Sequence, residues 1–296
     1  MPALFAGDSD FIIVPEDVKS DTLTSLRYYE EAVKKNLRIC RLEDIPDISE
    51  EIGRIYPWGW DHAIADTLLK AGINPELIPS AATLDKIRLL SHRRTAIEFR
   101  RKISDLTGEK LIKPAMELTS LSEVEQFLLQ TPLAYFKAPW SSSGRGIVVS
   151  DHISRKGLME WAHGTLKKQG SVIAEPAWGR VFDFATEWWI TDGEATFCGY
   201  SVFETSSRGK YHGNVMAPQE VLKGRIKEAA PSFSPEMMEA QKHLLKEMIA
   251  PYYSGPLGID MFADSGGHIN SCVEINLRFT MGFLSLSHDF KNISGQ

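Results

Sequence analysis

Cysteine is scarce. Cys40, Cys198 and Cys272 are the only three in 296 residues, and none stands in a CxxC pair. Such spacing fits buried, reduced thiols, hence a cytoplasmic setting, better than it fits a disulfide framework. Basic residues are not in excess: 33 Lys and Arg stand against 39 Asp and Glu, a formal net charge of −6. A nucleic-acid partner is therefore not expected, because nonspecific binding needs a basic footprint. Long apolar runs are missing, so no membrane association is read from the chain. The opening Met1-Pro-Ala-Leu4 lacks the basic-then-apolar pattern of a secretory leader. The eight histidines form neither HxH nor HExxH, which speaks against a zinc site. Internal repeats and low-complexity tracts are absent too. What remains, 43% hydrophobic and 24% charged, is the composition of a globular protein long enough for more than one subdomain.

The pattern along the chain changes once. The opening third alternates short apolar runs with helical spacing: a strand at Phe11–Val14, a helix over 21–36, and a strand over 37–42. That alternation predicts a small open α/β domain with a parallel sheet. Asp61 reads as the N-cap of a helix from His62 to Ala71, with Gly72 ending it. Residues 83–102 read as one long basic helical region, broken at Gly108. From about Leu111 the texture becomes α+β. Strands are expected near Ile112 and over 133–138, 147–149, 172–174, 184–191 and 196–203, the last two joined by a turn at Asp192-Gly193. Helices are expected over 122–129, 156–168 and 235–252.

The segment Ser271-Cys-Val-Glu-Ile-Asn-Leu-Arg278 carries the most chemistry. On a strand, Glu274, Asn276 and Arg278 share one face while Val273, Ile275 and Leu277 take the other. A carboxylate and an amide oxygen are hard ligands of the kind Mg²⁺ takes, and a guanidinium is a fork for phosphate or carboxylate. Upstream, Leu257–Phe262 reads as a second strand. The turn Asp264-Ser-Gly-Gly267 would fold the pair into a hairpin and bring Asp260 beside Glu274. The bland alternative is a solvated outer face of an antiparallel sheet.

Two further pieces precede it. In Tyr135-Phe-Lys-Ala-Pro-Trp-Ser-Ser-Ser-Gly-Arg-Gly-Ile-Val-Val149, a strand carrying Lys137 enters a Ser/Gly loop and leaves as another strand. Backbone N–H groups and hydroxyls in such a loop can cradle phosphate. It is not a Walker A loop, which needs GK[ST] before a helix, nor a kinase loop, whose lysine lies downstream. Val172-Ile-Ala-Glu-Pro-Ala-Trp178 is a strand with a proline-fixed exit whose backbone can pair with an adenine edge. Asp183, a little further on, is placed to hold ribose hydroxyls.

In order and approximate spacing these pieces resemble the ATP-grasp superfamily, from about residue 80 onward. The resemblance implies a mixed α/β and α+β architecture: an N-terminal α/β domain over 1–88, a middle subdomain over 89–174 and a C-terminal subdomain over 175–296, the latter two clasping ATP. It implies phosphate contacts from Lys137 and from the loop residues Ser141, Ser142, Ser143, Gly144 and Gly146. It further implies an adenine hinge at Glu175, Pro176 and Ala177, a ribose carboxylate at Asp183, and Mg²⁺ (with Mn²⁺ as a substitute) on Asp260, Glu274 and Asn276. Arg278 would face the transferred phosphate or the substrate carboxylate, so Lys137 and Arg278 carry the catalytic roles. Two departures stand out. Arg93 occupies the place of a second nucleotide-contacting lysine, and Ala138 separates Lys137 from Pro139.

The reaction so implied is ATP-dependent ligation of a carboxylate to an amine or similar nucleophile through an acylphosphate. Its partners would be small-molecule carboxylates and amines, and a homo-oligomer is compatible with it. Arg208, Lys210 and Tyr211, in a polar stretch over 204–214 read as a loop above the substrate, are candidate contacts for an anionic group. The rival readings are a non-catalytic or regulatory ATP-binding protein and a small-molecule phosphotransferase.

Overall fold

The computed structural model describes residues 6–7, 10–14, 38–141, 146–205 and 211–286. The chain divides into two units, Met1–Lys86 with Ser287–Gln296, and Ile87–Leu286.

In the first unit β1 (Phe11–Val14) and β2 (Arg38–Arg41) pair in parallel, Phe11 opposite Arg38. A parallel pair needs a crossover between its strands, and the helix expected there, over 21–36, lies outside the described residues. A short helix, α1 (Ile45–Ile48), is followed by α2 (His62–Lys70). Asp61 caps α2 as its sequence position predicts: its Oδ1 accepts the Ile64 N–H at 2.8 Å. Ile45, Leu68 and Ile73 form a small core against which Trp60 packs. A further helix, α3 (Ala81–Leu90), carries the chain onward.

In the second unit, α4 (Arg93–Thr107) begins after a two-residue break, so the single helix expected over 83–102 is two. The reason is local. The His92 Nδ1 accepts the Arg94 N–H at 3.0 Å, a side-chain cap that starts a new helix at this point. Thr95, Ala96, Phe99 and Ile103 are buried along one face of α4. Gly108 closes it in the left-handed region at φ 72°. The strand expected near Ile112 does not form. Lys113 takes φ 43° ahead of Pro114, and Arg100 donates to the Ile112 carbonyl at 2.6 Å, occupying a group a ladder would need. The strand comes later, as β3 (Met116–Leu118).

After β3 come α5 (Leu121–Gln130), β4 (Ala134–Lys137), β5 (Ile147–Val149), α6 (Arg155–Gln169) and β6 (Val172–Pro176). The four strands form an antiparallel sheet in the order β3-β6-β4-β5. Ala134, Phe136, Val172 and Ala174 point to one face, sealed by Val124 and Phe127 of α5 and Leu158 and Ala162 of α6. Truncating the fully buried Phe136 to Ala would cost about 3–5 kcal/mol. By alternation, Tyr135, Lys137, Ile173 and Glu175 take the opposite face.

The larger sheet comprises β7 (Arg180–Thr191), β8 (Glu194–Thr205), β9 (Tyr211–Asn214), β10 (Gly255–Asp264) and β11 (Ile269–Asn276). Its order is β11-β10-β7-β8-β9, antiparallel throughout. Asp192 (φ 50°) and Gly193 (φ 79°) make the tight turn between β7 and β8. Three helices complete the unit: α7 (Gln219–Ala229), α8 (Pro235–Leu244) and α9 (Met281–Ser285). The helix expected to run to residue 252 ends at Leu244 and continues as a π turn, Leu245–Ile249. Residues 211–214, expected as loop, are a strand paired to β8.

One face of this sheet is apolar. Phe184, Trp188, Leu257, Ile259 and Met261 are buried there, and α8 covers them. The Gln241 Oε1 of α8 accepts the buried Thr186 hydroxyl at 2.9 Å. The other face is polar, and it carries the site. The helix α4 packs along the edge strand β11 and against α8, covering an edge that would otherwise offer unpaired backbone groups.

Candidate active site

Strand register brings the metal-ligand candidates together. Asp260 of β10 stands directly opposite Glu274 of β11, and Gly258 stands opposite Asn276. All of these point to the polar face. The Asn276 Nδ2 donates to Asp260 Oδ2 at 3.0 Å, and Arg278 donates to Asn276 Oδ1 at 3.0 Å. Burial pushes the Asp260 carboxyl up to about 7, and the neighbouring Glu274 adds to the rise; the Asn276 hydrogen bond and Arg278 oppose it.

Two carboxylates facing each other in a partly buried place, with an amide oxygen alongside, suit a hard divalent cation, which would relieve their repulsion. The set holds two acidic groups, and no cluster of three His, Cys, Asp or Glu side chains is found among the described residues. Asn276 turns its oxygen to Arg278, so ligation by that oxygen requires the amide to rotate.

Arg93 ties this strand to the smaller sheet. Its guanidinium donates to the Ala138 carbonyl and to Ser141 Oγ, both at 2.7 Å, and to Glu274 Oε2 at 3.0 Å. One rigid fork thus spans the end of β4, the start of the Ser/Gly loop and β11, which a lysine could not do. Its Nε is buried without a partner. Nearby, Lys137 and Glu175, both nearly inaccessible, form an ion pair across the smaller sheet. Arg93, Arg100, Lys137, Glu175, Cys272 and Val273 line a cavity of about 200 Å³.

The loop is drawn shut at its base. The Ala138 N–H donates to the Gly146 carbonyl at 2.7 Å, and a Cβ at Gly146 would come within 2.7 Å of Ser141 Cβ. Ser142, Ser143 and Gly144 lie outside the described residues.

The expected hinge is engaged on both sides at Ala177. Its N–H donates to the Leu133 carbonyl at 3.0 Å, and its own carbonyl accepts from Lys113 Nζ at 2.9 Å. The Ala177 N–H is therefore taken, while its carbonyl keeps a second lone pair for a base edge. Asp183 is buried on the polar face, where Arg180 pairs with it and the Thr205 hydroxyl donates to it at 2.6 Å. Tyr211 sits on β9, the sheet edge opposite β11, and its hydroxyl donates to Asn214 Oδ1. The sheet order therefore separates it from β11. Arg208 and Lys210 lie outside the described residues.

Sequence reasoning missed Glu187. It sits on β7 opposite Gly258, 1% exposed, on the same face as Asp260. The hydroxyls of Ser201 and Thr280 donate to its two oxygens, both at 2.9 Å. Burial pushes its carboxyl up to about 8, with Asp260 adding to the rise. A period-2 reading of β7 would have found it, since Asp183 and Glu187 are four residues apart and so share a face.

No family model matches the sequence, and no curated protein does. Solved structures do. The biotin carboxylase of Campylobacter jejuni, in complex with an ATP analogue, superposes with a TM-score of 0.62 at 14% identity. That match covers 94% of this chain and 61% of the other. The N5-carboxyaminoimidazole synthetase of Staphylococcus aureus, with ADP, gives 0.54 at 14% identity, covering 93% and 72%. The D-alanyl-alanine synthetase A of Vibrio cholerae gives 0.55 at 14%, covering 97% and 93%. These are ATP-grasp enzymes, and this chain has the ATP-grasp fold.

Proposed function

We propose that the protein is an ATP-dependent ligase that joins a carboxylate to an amine, or similar nucleophile, through an acylphosphate. The observation that carries this reading is the juxtaposition of Asp260 with Glu274 on paired strands, with Asn276 and Arg278 extending the row and Arg93 reaching in from α4. On this reading residues 1–88, 89–174 and 175–296 act as three parts, the second covering the nucleotide and the third holding the metal.

Phosphoryl transfer needs little covalent chemistry from the protein; it needs positioning and charge neutralisation. Magnesium held by Asp260, Glu274 and Asn276 would neutralise phosphate charge. Lys137 and Arg93 bring cations to the phosphates, exchanging Glu175 and Glu274 for phosphate oxygens. Ser141 and Gly146, at the base of the Ser/Gly loop, would stand beside them. Glu175 and Pro176 offer a hinge edge to the base, and Asp183 meets the ribose if Arg180 releases it. Arg278, at the far end of the row, would face the γ-phosphoryl group as it passes to the substrate carboxylate; its fork matches either group in two bonds. The amine then attacks the acylphosphate and phosphate leaves.

The test is a screen of amino acids and other small carboxylates with amines, in ATP and Mg²⁺, for release of inorganic phosphate. Release that needs both co-substrates and disappears in Glu274→Ala supports ligation. A phosphorylated carboxylate as the end product would replace this reading with a phosphotransferase, and unchanged turnover in Glu274→Ala would remove the metal assignment.

A further inference from the structure

We propose that Glu187 is a positioning residue: buried between Ser201 and Thr280 in a glycine-lined niche, it pins the segment 278–283 across the sheet and so aims Arg278. The claim that Arg278 meets phosphate rests on the function proposed above; the pin itself does not.

The chain leaves β11 at Asn276 and contacts β10, β7, β8 and β9 through α9. This strap crosses the polar face at Glu187. The Thr280 Oγ1 donates to Glu187 Oε2 at 2.9 Å and itself accepts the Phe283 N–H at 2.8 Å, so one hydroxyl couples the carboxyl to the start of α9. On the other side Ser201 ties the same carboxyl to β8 at 2.9 Å. Both oxygens need glycine beside them. A Cβ at Gly258 would stand 2.7 Å from Oε2, and one at Gly282 would collide with Oε1 and with Ser201 Oγ.

Arg278 lies just ahead of the Thr280 anchor in this strap, and its hydrogen bonds are local. It donates to Asn276 Oδ1 at 3.0 Å and to the Phe279 carbonyl at 3.1 Å. Phe279 and Phe283 pack on Trp189 of β7, and the Thr280–Glu187 contact adds the polar tie that joins this backbone to the middle of the sheet. A buried carboxyl with two hydroxyl donors and no cation among its hydrogen-bond partners is a costly way to fill a core, and an apolar side chain would pack the niche without joining strap to sheet.

The experiment compares wild type with Glu187→Gln, which keeps the shape and can still pair with both hydroxyls if one of them turns from donor to acceptor, and Glu187→Ala. Hydrogen exchange over 278–286 reads the pin, and the affinities for ATP and ADP in Mg²⁺ read the aim of Arg278. Exchange should quicken in Glu187→Ala and stay slow in Glu187→Gln. ATP affinity should fall about tenfold in Glu187→Ala while ADP affinity stays within about twofold, and Arg278→Ala should copy that pattern. A merely structural role would lower the melting temperature without changing the ATP-to-ADP ratio, and that result overturns the proposal. Equal exchange in all three proteins overturns it as well. If wild type binds neither nucleotide, the functional reading falls, and exchange alone then decides the pin. Should Glu187→Ala not fold, Ser201→Ala, which removes one hydroxyl donor, gives the same changes in smaller measure, and their absence there counts against the pin.

Discussion

Replacing Arg93 by Ala removes three hydrogen bonds from one side chain that is 6% exposed. The Ala138 carbonyl, whose contact with Arg93 is buried, loses a charged donor; leaving a buried acceptor unpaired costs about 1–3 kcal/mol. Glu274 loses its cation in a partly buried place beside Asp260, and breaking a buried pair costs about 3–5 kcal/mol. Glu274 keeps 26% of its side chain exposed, so the low end applies. The Ser141 hydroxyl can turn to water and adds little. The sum is about 4 kcal/mol, which in a domain of this size lowers the melting temperature by about 8–16 °C. Arg93→Lys keeps the charge but cannot fork to three acceptors, so its loss should fall between wild type and Arg93→Ala. Thermal unfolding followed by circular dichroism at neutral pH is the assay. A melting temperature for Arg93→Ala within a degree or so of wild type would refute the reasoning, because one buried and two part-buried contacts would then be worth nothing.

Asp260→Asn should stabilise the metal-free protein at pH 8 and have little effect at pH 4. A carboxyl raised to about 7 contributes its full stability below the ordinary carboxylate range and loses it as pH rises through 7, whereas an amide does not titrate. Urea unfolding at the two pH values checks this, and equal effects at both would contradict the burial account. The same variant should lose magnesium-dependent nucleotide binding, trading function for stability. His92 is held down to about 4, by burial first and then by Arg94. Stability from its neutral cap is therefore complete above about pH 6.5 and lost as pH falls toward 4. His92→Asn, which can still cap, should lose less stability than His92→Ala, by about 1 kcal/mol, and a reversed order would rule the cap out.

The paired strands β10 and β11 were legible because period-2 alternation fixes which residues share a face, and a Gly-rich turn fixes the register. These two facts put Asp260 and Glu274 on one face of neighbouring strands; their direct opposition also needs the register shift between Asp260 and Phe262, without which Asp260 would face Cys272. The Asp61 cap and the Gly108 stop were equally local. Arg93 is different. Its place in the sequence marked it as a stand-in for a lysine, but its partners lie 45, 48 and 181 residues away, and no local pattern encodes such contacts. The break before α4 was hidden because helical spacing runs through it, and histidine is an uncommon cap. The pairing at the hinge was hidden likewise, since Lys113 reaches Ala177 from a segment whose irregular backbone was read as strand. Glu187 was missed for another reason. A carboxylate midway along β7 looks like an exposed position, and only the strap that crosses the sheet buries it.

Asp260, Glu274, Asn276, Lys137 and Arg93 form the nucleotide site of the proposed function. Calorimetric titration of the protein with ATP, with and without Mg²⁺, tests it most directly. Saturable binding is expected, tightened by Mg²⁺ in wild type and not tightened by it in Glu274→Ala. Absence of binding at millimolar ATP in either condition, or binding that ignores Mg²⁺ in wild type, would contradict it.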